Sequence, residues 1–309
     1  MKNKLIMIAG PTGVGKSDLA VQLAMRNGGE VISADSMQVY RGMDIGTAKI
    51  TPEQMQGVPH HLIDVCEPDE DWNVVRFQKM AKEVLEGIYE RGHIPIVCGG
   101  TGFYIQALLY DIDFTENDGD VSLRRALEER AALGEAERAK LYEELKAVDP
   151  GAADAIHPNN IKRVIRALEF HAQTGQAISA HNEAQRQRPA AYDSRFFVLT
   201  DARERLYERI DRRVDRMLRD GLVEEVKGLR SRGYDRSLVS MQGLGYKEIL
   251  SWLDGEIPFE ESVRILKRDT RHFAKRQLTW FKRERDVIWL SREVYPTDEA
   301  LLDEMLARM

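Results

Sequence analysis

The sequence predicts an α/β protein: a parallel sheet flanked by helices, interrupted by a helical insertion. Three observations carry this expectation. An uncharged apolar run, Leu5-Ile6-Met7-Ile8-Ala9, leads into a glycine-rich turn and then into a stretch with helical patterning. Two further apolar runs, at 30–34 and 94–98, each end in polar or glycine-rich residues, as strands of a parallel sheet do along one edge. From about 114 to 193 the texture changes to charged, alanine-rich helix, and strand character returns at Arg195-Phe196-Phe197-Val198-Leu199-Thr200.

The turn reads Gly10-Pro11-Thr12-Gly13-Val14-Gly15-Lys16-Ser17 and fits G-x-x-x-x-G-K-[ST]. The apolar residues of Asp18-Leu19-Ala20-Val21-Gln22-Leu23-Ala24 have helical spacing. Strand, turn and helix together are the context of a P-loop, and the sheet is expected to be P-loop NTPase-like. Such a turn aims successive backbone N–H groups inward, and the helix N-terminus adds partial positive charge. Lys16 supplies a full charge, and the Ser17 hydroxyl is placed to ligand magnesium. Residues 10–17 are therefore expected to cradle two linked phosphates.

Glu30-Val31-Ile32-Ser33-Ala34 reads as a second strand that delivers Asp35-Ser36-Met37-Gln38 beside the phosphate loop. Residues 41–71, with several Gly and Pro, read mostly as loop. His60 and His61 within it are expected to be structural or solvated, because no carboxylate or cysteine stands at metal-binding spacing. Residues 74–91 read as an amphipathic helix with Val75, Met80, Val84, Leu85 and Ile88 toward the core. The strand at 94–98 ends in Gly99-Gly100-Thr101-Gly102, where an ordinary P-loop ATPase carries a magnesium-binding aspartate. Phosphoanhydride hydrolysis thus lacks a usual component, for which Asp64 is a candidate substitute.

Helices are expected at 121–133, 135–147 and 160–174, the last stopped by Gly175, with 185–191 as a linker. After the strand at 195–200 the patterning predicts helices at 203–220, 222–232, 246–254 and 259–285. A strand at 287–290 and a helix at 297–308 follow. No internal repeat or low-complexity tract is present. The expected division is an α/β core from 1–113 and 194–309, with 114–193 as a helical insertion domain.

With 309 residues, 43% hydrophobic and 31% charged, the chain has room for about two domains and an ordinary soluble composition. Two cysteines, Cys66 and Cys98, in apolar surroundings point to a reducing compartment, and no Cys/His cluster offers a zinc site. The apolar run after Met-Lys-Asn-Lys is too short for a signal peptide and nothing has the length of a membrane span, so a cytoplasmic protein without membrane contact is expected. The net charge of −6 argues alone against a nucleic-acid partner. Its distribution matters more: 264–285 holds 9 Lys/Arg against Asp269 and Glu284, whereas 114–160 holds 11 acids against 6 bases. On the helix at 264–275, Arg264, Lys267, Arg268, Arg271 and Lys275 share one face, and a track for an RNA backbone is the preferred reading over a merely solvated face.

Several phrases resemble one family. Gly10–Ser17, the long run Asp35-Ser36-Met37-Gln38-Val39-Tyr40-Arg41-Gly42-Met43-Asp44-Ile45-Gly46-Thr47-Ala48-Lys49, Gly99–Tyr104 and Gly243-Leu244-Gly245-Tyr246-Lys247-Glu248 resemble tRNA dimethylallyltransferases. So does Pro158–Glu169 within the insertion. The likeness spans nearly the whole chain and follows the bacterial type, because the C-terminal zinc finger of eukaryotic members is missing. The resemblance implies prenyl transfer from dimethylallyl diphosphate to the exocyclic amine of the adenosine immediately 3′ of the anticodon, in tRNAs that read U-initial codons. It implies Asp35 as general base, Thr101 as a residue positioning the base, and Lys16 and Arg213 on the diphosphate. It also implies tRNA contacts from Asp35, Ser36, Met37, Gln38, Thr101, Arg124 and the segment Lys162, Arg163, Val164, Ile165, Arg166. Magnesium is the implied metal, with Ser17 as its ligand, and a monomer is expected.

The chemistry agrees with this reading. Pyrophosphate leaves, and the loop, Lys16 and magnesium can neutralise the charge it gathers. An exocyclic adenine amine is a poor nucleophile, so a carboxylate taking its proton is worth roughly 10² to 10⁴ in rate. The alternative role for Asp35 is to position magnesium. A target base must leave its stack, at a cost of about a few kcal/mol. Phe103 and Tyr104 could receive it, although core packing suits either. Most arginines among Arg203, Arg205, Arg209, Arg212, Arg213, Arg216 and Arg219 read as an internally paired face. Alternatives that remain open are a P-loop nucleotide or small-molecule kinase, prenyl transfer to free AMP or ADP, and a nucleotide-dependent switch.

Overall fold

The computed structural model describes residues 2–114 and 121–309; positions 115–120 of the expected insertion lie outside the described residues. The chain opens with β1 (Lys4–Ala9), α1 (Lys16–Asn27), β2 (Gly29–Ser33), α2 (Pro52–Met55), β3 (His60–His61), α3 (Val74–Glu90), β4 (Ile94–Gly99) and α4 (Gly102–Leu109). Five helices follow: α5 (Val121–Ala132), α6 (Glu135–Val148), α7 (Pro150–Ala155), α8 (Ile161–Thr174) and α9 (Ile178–Arg186). Then come β5 (Asp193–Thr200), α10 (Arg203–Arg219), α11 (Leu222–Ser231), a 3-10 turn at Ser240–Gln242, α12 (Tyr246–Leu253), α13 (Phe259–Phe281), β6 (Val287–Ser291) and α14 (Asp298–Ala307).

Two compact units result, one running to Leu109 and resuming at Ala191, the other spanning Tyr110–Ala190. The chain therefore rejoins the sheet unit earlier than position 194. The Ala191 N–H donates to the Leu109 carbonyl at 2.8 Å, the Asp193 N–H donates to Asn3 at 2.9 Å, and Asp193 already lies opposite Lys4 in the sheet.

The sheet unit is built on six parallel strands in the order β3-β2-β4-β1-β5-β6. β1 lies between β4 and β5, with Ala9 opposite Gly99 on one side and Val198 on the other. Helices cover both faces, which is why Leu5–Ala9 is an unbroken buried apolar run rather than an alternating one. Because all six strands run one way, their C-terminal ends share an edge. That edge receives the turn after β1, Asp35 after β2, Thr101 after β4 and Arg292 after β6. Asn73 caps α3 by accepting the Val75 and Arg76 N–H groups, and Thr51 closes a capping box on α2, a short helix inside the expected loop.

At the opposite end of β2, Glu30 is 1% exposed. It accepts hydrogen bonds from Arg91 Nε and Nη2 at 2.8 Å each and is bonded to His61 Nε2 at 2.6 Å and His93 Nδ1 at 2.7 Å. His61 is thus structural, as expected, and also pairs in the sheet as part of β3. The Arg91 bonds hold the Glu30 carboxyl down at about 2 against the opposing effect of burial.

In the helical unit, Leu127, Ala131, Leu141, Leu145, Ala152, Ala153, Val164, Ile165 and Ala167 form one core. Two of its helices, α7 and α9, were not expected from the patterning. Buried Asp149 explains both: its carboxylate caps α7 at Ala152 N (2.9 Å) and accepts from the Ser179 N–H (2.9 Å) and hydroxyl (2.5 Å) at the start of α9. Residues 185–186, expected as linker, belong to α9.

Glu30→Gln should lower the melting temperature near neutrality, losing roughly 1–3 kcal/mol. The folded-state pKa is depressed, so the contribution is present above the ordinary 4.5 and is lost as pH falls toward about 2. Thermal melts of both proteins across that window should converge at its acid end; a constant gap would contradict the assignment.

Candidate active site

The turn after β1 is set against β5 and α10. Gly10 has φ +145°, and a Cβ there would stand 2.6 Å from the Leu199 carbonyl, so only glycine lets the loop lie this close to the sheet. Gly15, also left-handed at φ +90°, starts α1, and a Cβ on it would meet Arg292 Nη2 at 2.6 Å. Arg292 is held in turn: its Nε donates to the Val14 carbonyl at 2.8 Å and its Nη2 to Asp298 at 2.6 Å. Lys16 Nζ donates to the Pro11 carbonyl at 2.9 Å. Burial brings its ammonium down to about 8; nearby Arg213 adds to this, while Asp35 opposes it. The Cys98 thiol is pushed up to about 12 by burial and stays protonated.

Arg213 reaches the loop from α10, its Nη1 lying 3.5 Å from Thr12 Oγ1, and burial lowers its pKa without discharging it. Three of its six arginine neighbours on α10 are paired among the described residues, fewer than the sequence suggested. Arg205 and Arg209 pair with Asp201, and Arg212 pairs with Glu208. Arg213 makes no ion pair with a carboxylate among the described residues, which leaves its charge for an anion at the turn.

Beside the turn, β2 and β4 deliver the other predicted residues. Asp35 Oδ1 accepts the Met37 N–H at 2.9 Å, and Thr101 Oγ1 accepts the Ser36 N–H at 3.2 Å. Thr101 N donates to Ala34 at 3.2 Å, binding the two strand ends together. Thr12, Asp35, Ser36, Met37, Thr101 and Arg213 line one cavity of about 310 Å³. Ile210, Val214, Leu266 and Phe273 add apolar lining, and Lys247 and Arg276 add positive charge. Gln38 does not line it: its Nε2 faces the Ala48 carbonyl at 3.3 Å and its Oε1 accepts from Ser33 at 3.3 Å, so its side chain holds the following loop.

That loop depends on contacts that no local pattern announces. Glu225 accepts the N–H groups of Asp44, Ile45 and Gly46 at 2.9, 2.7 and 3.0 Å, and the Tyr246 hydroxyl at 2.6 Å. Lys49 binds Asp44 at 2.5 Å and Asp64 at 2.6 Å. Asp64 is thereby engaged as a structural partner, which corrects its reading as a stand-in magnesium ligand. Tyr104 stacks on Phe77 at 4.6 Å and is buried, whereas Phe103 is exposed and meets Trp280 edge-on at 6.1 Å.

In the helical unit, Lys162 and Arg163 are exposed on α8, as an RNA contact requires. Val164 and Ile165 are 0% and 5% exposed within the core, so their side chains cannot face a partner; they share the segment only because α8 turns one face inward. Arg124 and Arg166 converge on buried Glu169 at 2.7 and 3.0 Å. Burial alone would raise the Glu169 carboxyl, but the two arginines hold it below its ordinary value.

The basic stripe of α13 is largely engaged in ion pairs. Lys267 binds Asp215 at 2.6 Å and Arg271 binds Asp211 at 2.5 Å, tying α13 to α10, while Arg264 and Arg268 pair with Glu261 and Asp269. Helical spacing located the face but not the acids opposite it. A buried polar residue on α13 that sequence reasoning missed is Gln277, whose amide bonds the Thr12 N–H and the Gly100 carbonyl. Its signal was a polar side chain on the helix face of Leu266, Ala274 and Phe281.

These features define a P-loop protein whose glycine-rich turn lies beside a carboxylate in a partly apolar cavity. A sequence model described as IPP transferase matches residues 38–284, and one described as isopentenyl transferase matches residues 3–67. The chain belongs to the IPP transferase family. It is 61% identical over 303 residues to a tRNA dimethylallyltransferase of Lachnoclostridium phytofermentans, covering 98% of this chain and 96% of the relative. A tRNA dimethylallyltransferase of Alkaliphilus oremlandii is 49% identical over 306 residues, covering 99% and 97%. The solved tRNA delta(2)-isopentenylpyrophosphate transferase of Staphylococcus epidermidis is 42% identical with a TM-score of 0.73, covering 99% of each chain. A eukaryotic dimethylallyltransferase acting on tRNA gives a TM-score of 0.81 at 34% identity, covering 94% of this chain and 74% of that one. Among the described residues no helix is long and apolar enough to cross a membrane.

Since Lys16 keeps its full charge only below about 8, pyrophosphate affinity at fixed magnesium should fall as pH rises through that value. The fall, up to about tenfold per pH unit, is measured relative to Lys16→Arg, whose guanidinium stays charged. Calorimetric titrations giving parallel profiles for the two proteins would show that Lys16 keeps an ordinary pKa.

Proposed function

We propose that this chain transfers the dimethylallyl group of dimethylallyl diphosphate to the exocyclic amine of the adenosine immediately 3′ of the anticodon, in tRNAs reading U-initial codons, with release of pyrophosphate. One observation carries the reading: a single cavity is lined both by the rim of the phosphate loop, through Thr12 and Arg213, and by Asp35 and Thr101. The leaving group and a proton acceptor thus meet in one small space with apolar lining suited to a prenyl chain.

The residues divide the work. The turn's N–H groups, Lys16 and Arg213 hold the diphosphate and stabilise the charge it gathers as its bond to carbon breaks. Asp35, oriented by the Met37 N–H, accepts the amine proton as nitrogen bonds to carbon. Thr101, fixed by the Ser36 N–H, sets the approach of the base. Ser17 fits a magnesium ion: it is exposed at the start of α1, and its hydroxyl makes no hydrogen bond among the described residues. Among them no cluster of three or more His, Cys, Asp or Glu could hold a metal, so magnesium would rest on Ser17, the diphosphate and water. When bound, it would neutralise charge on the departing pyrophosphate. Lys162 and Arg163 are the exposed candidates for RNA contact in the helical unit, with Arg124 and Arg166 oriented by Glu169.

A kinase reading fits less well. β4 ends at Gly99 and runs into Gly100-Thr101 where an acid would help hold magnesium, and Lys49 engages Asp64. The deciding assay offers labelled dimethylallyl diphosphate with unmodified tRNA, AMP or ADP, and follows prenyl incorporation, pyrophosphate and ATP. Incorporation into tRNA alone, without ATP loss, is expected; phosphorylation of a metabolite without prenyl transfer would overturn the proposal.

Asp35→Asn preserves shape and removes the base. Single-turnover transfer should fall by roughly 10² or more, while the tRNA dissociation constant moves only about threefold. Near-normal transfer would leave Asp35 a structural or metal-positioning role.

With Lys267 and Arg271 engaged by α10, replacing both with Gln should lower the melting temperature by about 2–4 °C. The slope of log tRNA affinity against log salt should stay unchanged. A slope shallower by about one unit per residue would return this face to the RNA footprint.

A further inference from the structure

Gln277 joins the two sides of the cavity. Its side chain is buried on α13, its Oε1 accepts the Thr12 N–H at 2.8 Å, and its Nε2 donates to the Gly100 carbonyl at 3.0 Å. Thr12 belongs to the phosphate turn. Gly100 directly precedes Thr101, whose N–H and hydroxyl are tied to Ala34 and Ser36 on either side of Asp35. A displacement of Gly100 is therefore carried to the residues that meet the acceptor. A primary amide suits this place because it offers an acceptor and a donor at the two corners of one rigid plane. The backbone is shaped around it: a Cβ at Gly100 would stand 2.1 Å from Gln277 Nε2.

We infer that Gln277 is a positioning residue that sets the separation between the donor's diphosphate and the acceptor amine, an inference that rests on the transferase reading above. In the transfer, the amine nitrogen bonds to the first prenyl carbon, and the bond from that carbon to the diphosphate oxygen breaks. Pyrophosphate leaves with the electron pair, and the amine proton passes to Asp35. The nitrogen must lie within about 3–3.5 Å of that carbon when the bond breaks. If the two loops drift apart, the donor bond can still break, but water takes the place of the amine. Its oxygen then bonds to the carbon, its proton passes to Asp35 or bulk water, and dimethylallyl alcohol appears with pyrophosphate while the tRNA stays unmodified. The ratio of pyrophosphate released to prenyl groups transferred thus reports the alignment.

Gln277→Met removes both hydrogen bonds at similar volume; Gln277→Glu keeps the acceptor for Thr12 and removes the donor to Gly100. Both should raise the ratio from about one to at least about two, and lower single-turnover transfer about tenfold or more at saturating substrates. Donor and tRNA dissociation constants should stay within about threefold of wild type. Because the ratio is taken per turnover, a lower folded fraction leaves it unchanged, which separates positioning from stability. A ratio of about one in both variants, whatever their rate, overturns the inference. Asp35→Asn measured alongside separates the two readings: normal transfer there defeats the role given to Asp35. Impaired transfer there, with fully coupled Gln277 variants, defeats only the role given to Gln277.

Discussion

Backbone segments approach one another at the C-terminal edge of the sheet more closely than side chains would permit. A Cβ at Gly10 would reach the Leu199 carbonyl, and one at Gly99 would stand 2.2 Å from the carbonyl of Ala34. Glycine at these places lets the phosphate turn, the end of β2 and the end of β4 converge. The parallel order of the strands brings all three to one edge; the missing side chains bring them into hydrogen-bond reach. The cavity, the orientation of Asp35 and the bridging place of Gln277 all depend on that approach.

Charge is distributed by the same packing. Cations abound on α10 and α13, and many are held by acids: Arg205 and Arg209 by Asp201 just before α10, and Lys267 and Arg271 by aspartates of α10. Among the described residues, Arg213 and Lys16 are the two Arg or Lys side chains whose surroundings lower their pKa, and in both burial is the leading cause. A diphosphate would relieve both by supplying the negative charge that the protein withholds. An acidic chain can thus keep an anion site strongly positive without a basic surface around it.

The helical unit uses its charges differently. Glu169 draws Arg124 and Arg166 to one carboxylate, which fixes two long side chains that would otherwise lose rotamer freedom on meeting a partner. Asp149 plays a comparable part for the backbone, joining α6, α7 and α9 through one side chain.

The sequence by itself determined the phosphate turn, the strands that flank it, the emergence of Asp35 and Thr101 at one edge, and the family. These are legible because glycine spacing, apolar periodicity and motif order are local properties of the chain. It left the partnerships open. That Glu225 and Tyr246 hold the Asp44–Gly46 loop, that Arg292 braces Val14, and that Gln277 spans Thr12 and Gly100 was decided by tertiary structure, which alone brings residues so far apart in sequence within hydrogen-bond distance. The same holds for what the helix faces meet. Spacing showed that Lys267 and Arg271 share a face and that Val164 and Ile165 sit among basic residues. Only the packing of α10 against α13, and the inward turn of α8, decided that the first pair meets aspartates and the second pair meets the core.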